Sequence, residues 1–582
     1  MTKRERLKNR IREELAQHPK IDRGTLMGWL AQGEYRRVLE ELFFFTESPE
    51  FVHLCQGIMQ DIEMSFPSMR ESGQECCLGF LAEFSIWLQS YLPNWHLLNG
   101  DKDALSSVSE RQLTALAARA ALPIAKLAQD ATGHVGSLTA RWRKDIASRL
   151  AAESVPNPQQ AAAALVGEDI GSYLTNMTAS LRSSNARGIA DLHAKGETPT
   201  EISNDYAAFL DYAMLLGASF VTCNPPLVDI AWVADPERWN PVVDRIVQED
   251  PGASSEALAT KVTLEIVLAN MRLLRPVFLL TEGCTGYVSL QVNPRNHDNS
   301  SAMVSEAITI YSDLEKKLGG GVPNVVFKLP ATHAGLVACR DLTGQGIGVN
   351  ITVGFGMFQH VEFAQAIQEG EAIVSTITNM SGRLAFPVRD ELLGIVGRLA
   401  KSGIGEVELR EAAAWSGVAV VKRLHQLVAR GGYDLGRVKP LVASLRVYEG
   451  GAYEGLPTPV PDISEVIGVG VITIFPNVRR AFDALPPMKL RPHAVESPVP
   501  KNVLDVLRHS EVFKQAFYVG DPELLPEEDD QLRPDHPLCL DDEADVLEWT
   551  PVRNTIAEFC KSYDAFETRI EDRRQLAGRV VA

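Results

Sequence analysis

The residues of this chain that could do chemistry gather at the ends of short apolar runs. Lys328 is the most telling, in Asn324-Val325-Val326-Phe327-Lys328-Leu329-Pro330. On a strand, Val325, Phe327 and Leu329 point one way, and Val326 and Lys328 the other. A lysine on an inward face is costly unless it has a partner or a task. Desolvation lowers its pKa, and a neutral amine attacks carbonyls. The competing explanation is a strand-end ammonium that reaches water, the ordinary situation of a lysine. Four further runs end in polar residues two apart: Thr222 and Asn224, Ser289 and Gln291, Asn350 and Thr352, Ser444 and Arg446. Residues two apart share a strand face. A strand buried on both faces has little use for them, so several such ends together point to a site.

These positions need a scaffold. Residues 1–182 read as helix after helix. Leu7, Ile11 and Leu15 stand at helical spacing, and similar stretches recur at 34–45, 50–66, 76–92, 110–152 and 160–181. The aromatic residues there, among them Phe43, Phe44, Phe45, Trp87, Tyr91 and Trp95, read as core; His53, His96 and His134 read as structural or surface groups. Ser183-Ser184-Asn185 marks a junction. Beyond it, β-rich runs at 188–192, 218–224, 287–292, 324–330, 349–355, 372–378, 440–446 and 469–476 alternate with helical stretches. Eight strands alternating with helices predict an α/β fold, a closed (β/α)8 TIM barrel with its site at the C-terminal strand ends. The chain thus divides into an all-helical N-terminal domain (1–182), whose role is unreadable, a barrel (183–490) and a mostly helical and loop C-terminal extension (491–582).

Bulk properties bound the function. A chain of 582 residues is too long for one core. A net charge of -18 argues against nucleic acid or an anionic membrane as partner, while leaving room for a local basic pocket. The eight cysteines show no CxxC pair and no Cys/His metal spacing. Reduced thiols in a cytoplasmic protein are therefore expected, with neither metal nor cofactor. The charged N-terminus lacks the apolar stretch of a secretory signal, and no 18-residue apolar run appears. The acidic run 527–530 reads as a solvated loop, and Gly319-Gly320-Gly321 as a turn rather than a nucleotide loop.

Residues 188–484 resemble the transaldolases, lysine Schiff-base members of the barrel aldolases. Thr222-Cys223-Asn224-Pro225-Pro226 is similar to the family's first signature, and Lys328-Leu329-Pro330-Ala331-Thr332-His333-Ala334-Gly335 to its second. Gly346-Ile347-Gly348-Val349-Asn350-Ile351-Thr352 fits a third, with Phe355 and Gln359 at the expected spacings. Ser381-Gly382-Arg383 and Ser444-Leu445-Arg446 look like its phosphate-binding elements, and the helical stretch 549–570 like its closing helix. There are departures. Pro226 and Cys223 replace a usual serine and threonine, and Gln291 stands for the usual strand-three glutamate, as in the related fructose-6-phosphate aldolases. Met380 replaces an aromatic residue, and the helical residues 1–182 have no counterpart in the family's common forms.

The resemblance implies transfer of a dihydroxyacetone unit between sugar phosphates, a pentose phosphate pathway reaction. Lys328 would form the Schiff base. Asp191, at the end of the first apolar run, is the expected acid/base, with Asp205 as the alternative. Gln291 and Thr352 would hold the proton-carrying water; glutamine can bond that water but cannot take its proton. Thr222, Asn224, Ser289, Asn350 and Thr378 would line the substrate, and Arg383, Ser444 and Arg446 would bind its phosphate. The expected partners are sugar phosphates, without nucleic acid or membrane, and a homo-oligomer is compatible with all of this. Two other readings stand beside it: an aldolase releasing free dihydroxyacetone, suggested by Gln291, and a non-catalytic barrel scaffold.

Overall fold

Eight parallel strands close on themselves in sequence order: β1 (Glu201–Asn204), β2 (Ala218–Thr222), β3 (Tyr287–Gln291), β4 (Val325–Pro330), β5 (Val349–Gly354), β6 (Ser375–Asn379), β7 (Val438–Val442) and β8 (Val471–Ile474). The computed structural model describes residues 1–46, 48–91, 132–520 and 530–581. The expected helical residues 110–131, Trp95, His96 and the acidic residues Glu527, Glu528 and Asp529 lie outside the described residues. β1 pairs with both β2 and β8, which closes the (β/α)8 barrel.

The strands are buried on both faces. Val325, Phe327 and Leu329 of β4 join the core shared with the surrounding helices, whereas Val326 belongs to a separate cluster inside the barrel floor. Tight approaches fix the turns that follow. A Cβ on Gly335 would stand 1.9 Å from the Pro330 carbonyl, so the helix His333–Gly344 packs against the end of β4 only because that residue is glycine. Thr332 caps this helix, accepting from the Gly335 N–H at 3.0 Å.

The sequence expectation fails at the first strand. Residues 188–192 lie in a helix, Asn185–Ala194, which Ser184 caps by accepting from the Arg187 N–H. The apolar residues Ile189 and Ala190 suit either period, and the serine cap decides for helix. The true β1 carries one aliphatic residue, Ile202. Its first residue, Glu201, forms a buried ion pair with Lys439 of β7, and its last, Asn204, donates to the Tyr206 and Ala208 carbonyls. β7 also ends earlier than expected, so Ser444 and Arg446 lie on the loop beyond it.

Two helices cover the barrel's ends. The helix Lys3–Ala16 lies across the floor, where Ile11 is fully buried among Phe220, Phe278, Tyr287 and Val326. Its polar residues reach the rim: Lys3 donates to the Gly344 carbonyl at 2.8 Å, Arg4 to the Gly370 carbonyl at 3.1 Å, and Glu14 accepts from Arg275 at 3.0 Å. The C-terminal helix Thr550–Val581 closes the opposite end. Arg573 grips Asp244 at 2.7 and 2.6 Å, Arg569 grips Asp229, and Arg295, after β3, reaches Asp564 and Glu567. The remaining N-terminal helices pack on the barrel's side in one continuous core with it, and no helix among the described residues is long and apolar enough to cross a membrane.

Candidate functional site

Lys328 projects from β4 into a cavity at the C-terminal strand ends and is only 5% exposed. Gln291, Thr352, His297, Ile556 and Phe559 line the same cavity, so β3, β5 and the closing helix all meet around the amine. The strand register sets Gln291 and Asn350 on either side of it. Burial pulls the Lys328 pKa down; the Asp205 carboxylate opposes this and the Arg383 charge adds to it. Asp205, just past β1, is half-buried, and burial raises its carboxyl pKa against the pull of Lys328. Both groups are thus driven toward their neutral forms by the same desolvation. Among the described residues, no carboxylate lies within ion-pair distance of the amine.

Two hydroxyl networks flank the lysine. Thr222 Oγ1 donates to Asp205 Oδ1 at 2.5 Å and lies 2.9 Å from Thr473 Oγ1 of β8. On the other side, Asn350 Nδ2 donates to Ser289 Oγ at 2.8 Å while its Oδ1 accepts from Thr378 Oγ1 at 2.6 Å. The Asn350 amide is therefore fixed in orientation beside Lys328. Gln291 is free by contrast: its buried Oε1 has no hydrogen-bond partner. Thr352 makes only a weak contact, 3.7 Å to the Met380 sulfur. These two groups retain capacity to bond something in the cavity.

A basic corner lies beside this cavity. The helix Ser381–Gly394 begins there and carries Arg383, and the loop after β7 brings Arg446. A Cβ on Gly382 would meet the Ser444 carbonyl at 2.4 Å and Arg446 Cγ at 2.5 Å, so only glycine lets the helix start so close to the loop. Ser444 itself adopts a left-handed φ of 57°, a strained conformation for serine. Asp462 holds the corner: it accepts from Ser381 Oγ and, at 3.1 Å, from the Arg446 N–H. Burial pushes its carboxyl up to about 6. Burial, then the Arg383 charge, lowers the Arg446 pKa. Two clustered guanidiniums and a helix N-terminus make a site for a strong anion.

The family described as Transaldolase/Fructose-6-phosphate aldolase matches residues 203–503, just over half the chain. The chain belongs to this family. Among similar proteins, Transaldolase 1 of Streptomyces avermitilis is 28% identical over 216 residues, covering 36% of this chain and 55% of that protein. Transaldolase 2 of the same organism is 31% identical over 194 residues, 31% of this chain and 45% of that one. The transaldolase of Parafrankia sp. is 29% identical over 161 residues, 27% and 42% of the two chains. The chain thus spans about half the length of the curated relatives it matches.

The family's motif residues divide between chemistry and scaffolding. Asn224 caps the helix Pro225–Ala234, accepting from the Leu227 N–H at 2.9 Å. Gln359 is a staple: its amide donates to the Ala331 and Val353 carbonyls, and its oxygen accepts from the Phe355 and Gly356 N–H groups. It thereby ties the loop after β4 to the loop after β5, which sets Lys328 against Thr352. Asp191 is not brought to the site. It sits on the helix Asn185–Ala194, where Arg187 donates to it at 2.8 Å, and Asp205 occupies the end of β1. The error follows from the misplaced first strand. Sequence reasoning also missed Thr473, Asp462 and Glu558. Thr473 alternates with apolar neighbours on β8, which was a usable signal; the two acids carried none.

Proposed function

We propose that the chain transfers a dihydroxyacetone unit between sugar phosphates through a Schiff base on Lys328. The carrying observation is a desolvated amine, with its pKa lowered, at the C-terminal ends of the strands, beside Asp205 and two arginines that suit a phosphate. The neutral amine attacks the ketose carbonyl, and the carbinolamine loses water to give a protonated imine, which withdraws electrons as the next carbon–carbon bond breaks. Asp205 takes the proton of the hydroxyl at which that bond breaks, and its raised pKa suits a group that must later return it. Thr222 orients Asp205, while Asn350 and Thr378 hold the hydroxyls of the three-carbon fragment. Arg383, Ser444 and Arg446 anchor the terminal phosphate. The relatives named transaldolase support this reading, as does the family match. A pentose phosphate role and a cytoplasmic location accompany it.

Gln291 favours a second reading, simple aldol cleavage with release of free dihydroxyacetone. A glutamine bonds a water but cannot share its proton as a carboxylate would. Reduction with borohydride in the presence of fructose 6-phosphate tests both, since each expects an adduct on Lys328. An unmodified Lys328 would refute them together. Turnover with and without erythrose 4-phosphate then separates transfer from cleavage.

A further inference from the structure

The basic corner already holds a carboxylate of the protein itself. Glu558, on the closing helix, accepts from both terminal nitrogens of Arg383, at 2.5 and 2.7 Å. This paired geometry is the one a phosphate or carboxylate ligand would take on the same fork. Phe559, the next residue, lies under the Arg383 guanidinium at 5.6 Å and also lines the Lys328 cavity. The Glu558 side chain is 54% exposed, so its carboxylate can leave for water at little cost. Bonding to Arg383 holds its pKa below the usual carboxylate range.

We propose that Glu558 is a specificity-determining residue that makes Arg383 selective for a phosphate dianion over a carboxylate. This rests on reading Arg383 and Arg446 as the phosphate anchor. A carboxylate tethered on a docked helix acts at a high effective concentration, of order millimolar or more. A free carboxylate brings the same charge and the same two oxygens, so exchange gains it nothing. A phosphate brings about -1.5 to -2 charges and three acceptor oxygens. It can bond Arg383 and Arg446 together, whereas the Glu558 carboxylate is hydrogen-bonded to Arg383. Only such a group displaces the internal ligand with net gain.

The test is calorimetric titration of the full chain with inorganic phosphate, and with acetate as the carboxylate probe. Glu558→Ala and Glu558→Gln are each expected to bind phosphate about two- to fivefold more tightly than the wild type. Acetate should compete with phosphate in these variants and not in the wild type. Glu558→Gln keeps the size and helix preference of the side chain, so a disturbed helix in the alanine variant cannot mimic the result. Arg383→Ala should weaken phosphate binding, and adding Glu558→Ala to it should restore nothing. Phosphate binding that is unchanged or weaker in both Glu558 variants would overturn the proposal, as would a gain that persists without Arg383. Calorimetry needs no turnover, so this outcome is independent of whether Lys328 forms an adduct.

Discussion

At the scale of single residues, the site is a set of polar groups held neutral or bonded by their surroundings. Asp205 and Asp191 provide a direct contrast. Asp205→Asn should lower turnover by about 10²-fold or more, the usual contribution of a positioned acid/base. Asp191→Asn, on a helix outside the site, should leave turnover within about twofold; steady-state kinetics on both variants checks the assignment. Lys328 carries a stability cost as well. Its native pKa lies below the ordinary 10.5, so between the two values the unfolded chain binds more protons. Native stability attributable to this group therefore rises with pH through that window. Lys328→Met should accordingly resist urea better than the wild type at neutral pH, with the difference closing toward pH 10.5. Equal midpoints at neutral pH would contradict a desolvated lysine. Lys328 was legible in the sequence because a charge in an apolar strand is conspicuous. Asp205 was less so, because the strand before it, Glu201–Asn204, lacks the apolar run that announces one.

Among elements, the closing helix contributes most to the site's surroundings. Its docking depends on arginine–carboxylate contacts spread along the helix, with Glu558 nearest the site and Asp244 farthest along the sheath. Arg295, whose guanidinium also lies 5.0 Å from the Tyr563 ring, is the anchor on the loop after β3. A partly exposed bidentate contact contributes about 1 kcal/mol. Arg295→Ala should thus speed amide exchange in the helix by about fivefold and leave the barrel strands unchanged; hydrogen-exchange mass spectrometry reads both. The amphipathic character of this helix was visible in Phe559, Tyr563 and Phe566, all buried as core-facing residues should be. Which acid meets which arginine was not, because surface pairing depends on how the helix lies across the barrel rather than on local pattern. The same limit applies to Asp462, whose partners Ser381 and Arg446 are distant in sequence.

For the whole molecule, the barrel was readable from eight alternating runs, seven of which overlap observed strands. The relation of the N-terminal helices to it was not. Helical periodicity shows that a face is buried and is silent about what covers it. Here the helix Lys3–Ala16 completes the barrel floor, and Ile11 enters a cluster built from β2, β3, β4, β7 and β8. Ile11→Asp would bury an unpaired charge there or expel the helix. Either way, it should destabilise the fold by about 2–4 kcal/mol, read as a lower denaturation midpoint.

That floor helix also has a consequence for the order of events during synthesis. The surface that receives it does not exist until β8, at Val471–Ile474, has been made. At about 5–20 residues per second, the interval is roughly half a minute or longer. Throughout it, Leu7, Ile11 and Leu15 lack the complete surface against which they pack. The helix can form early, since Thr2 and Glu5 complete a capping box within its own sequence, but it docks late. A nascent chain of this protein therefore carries the apolar face of this segment uncovered well before its own barrel can claim it.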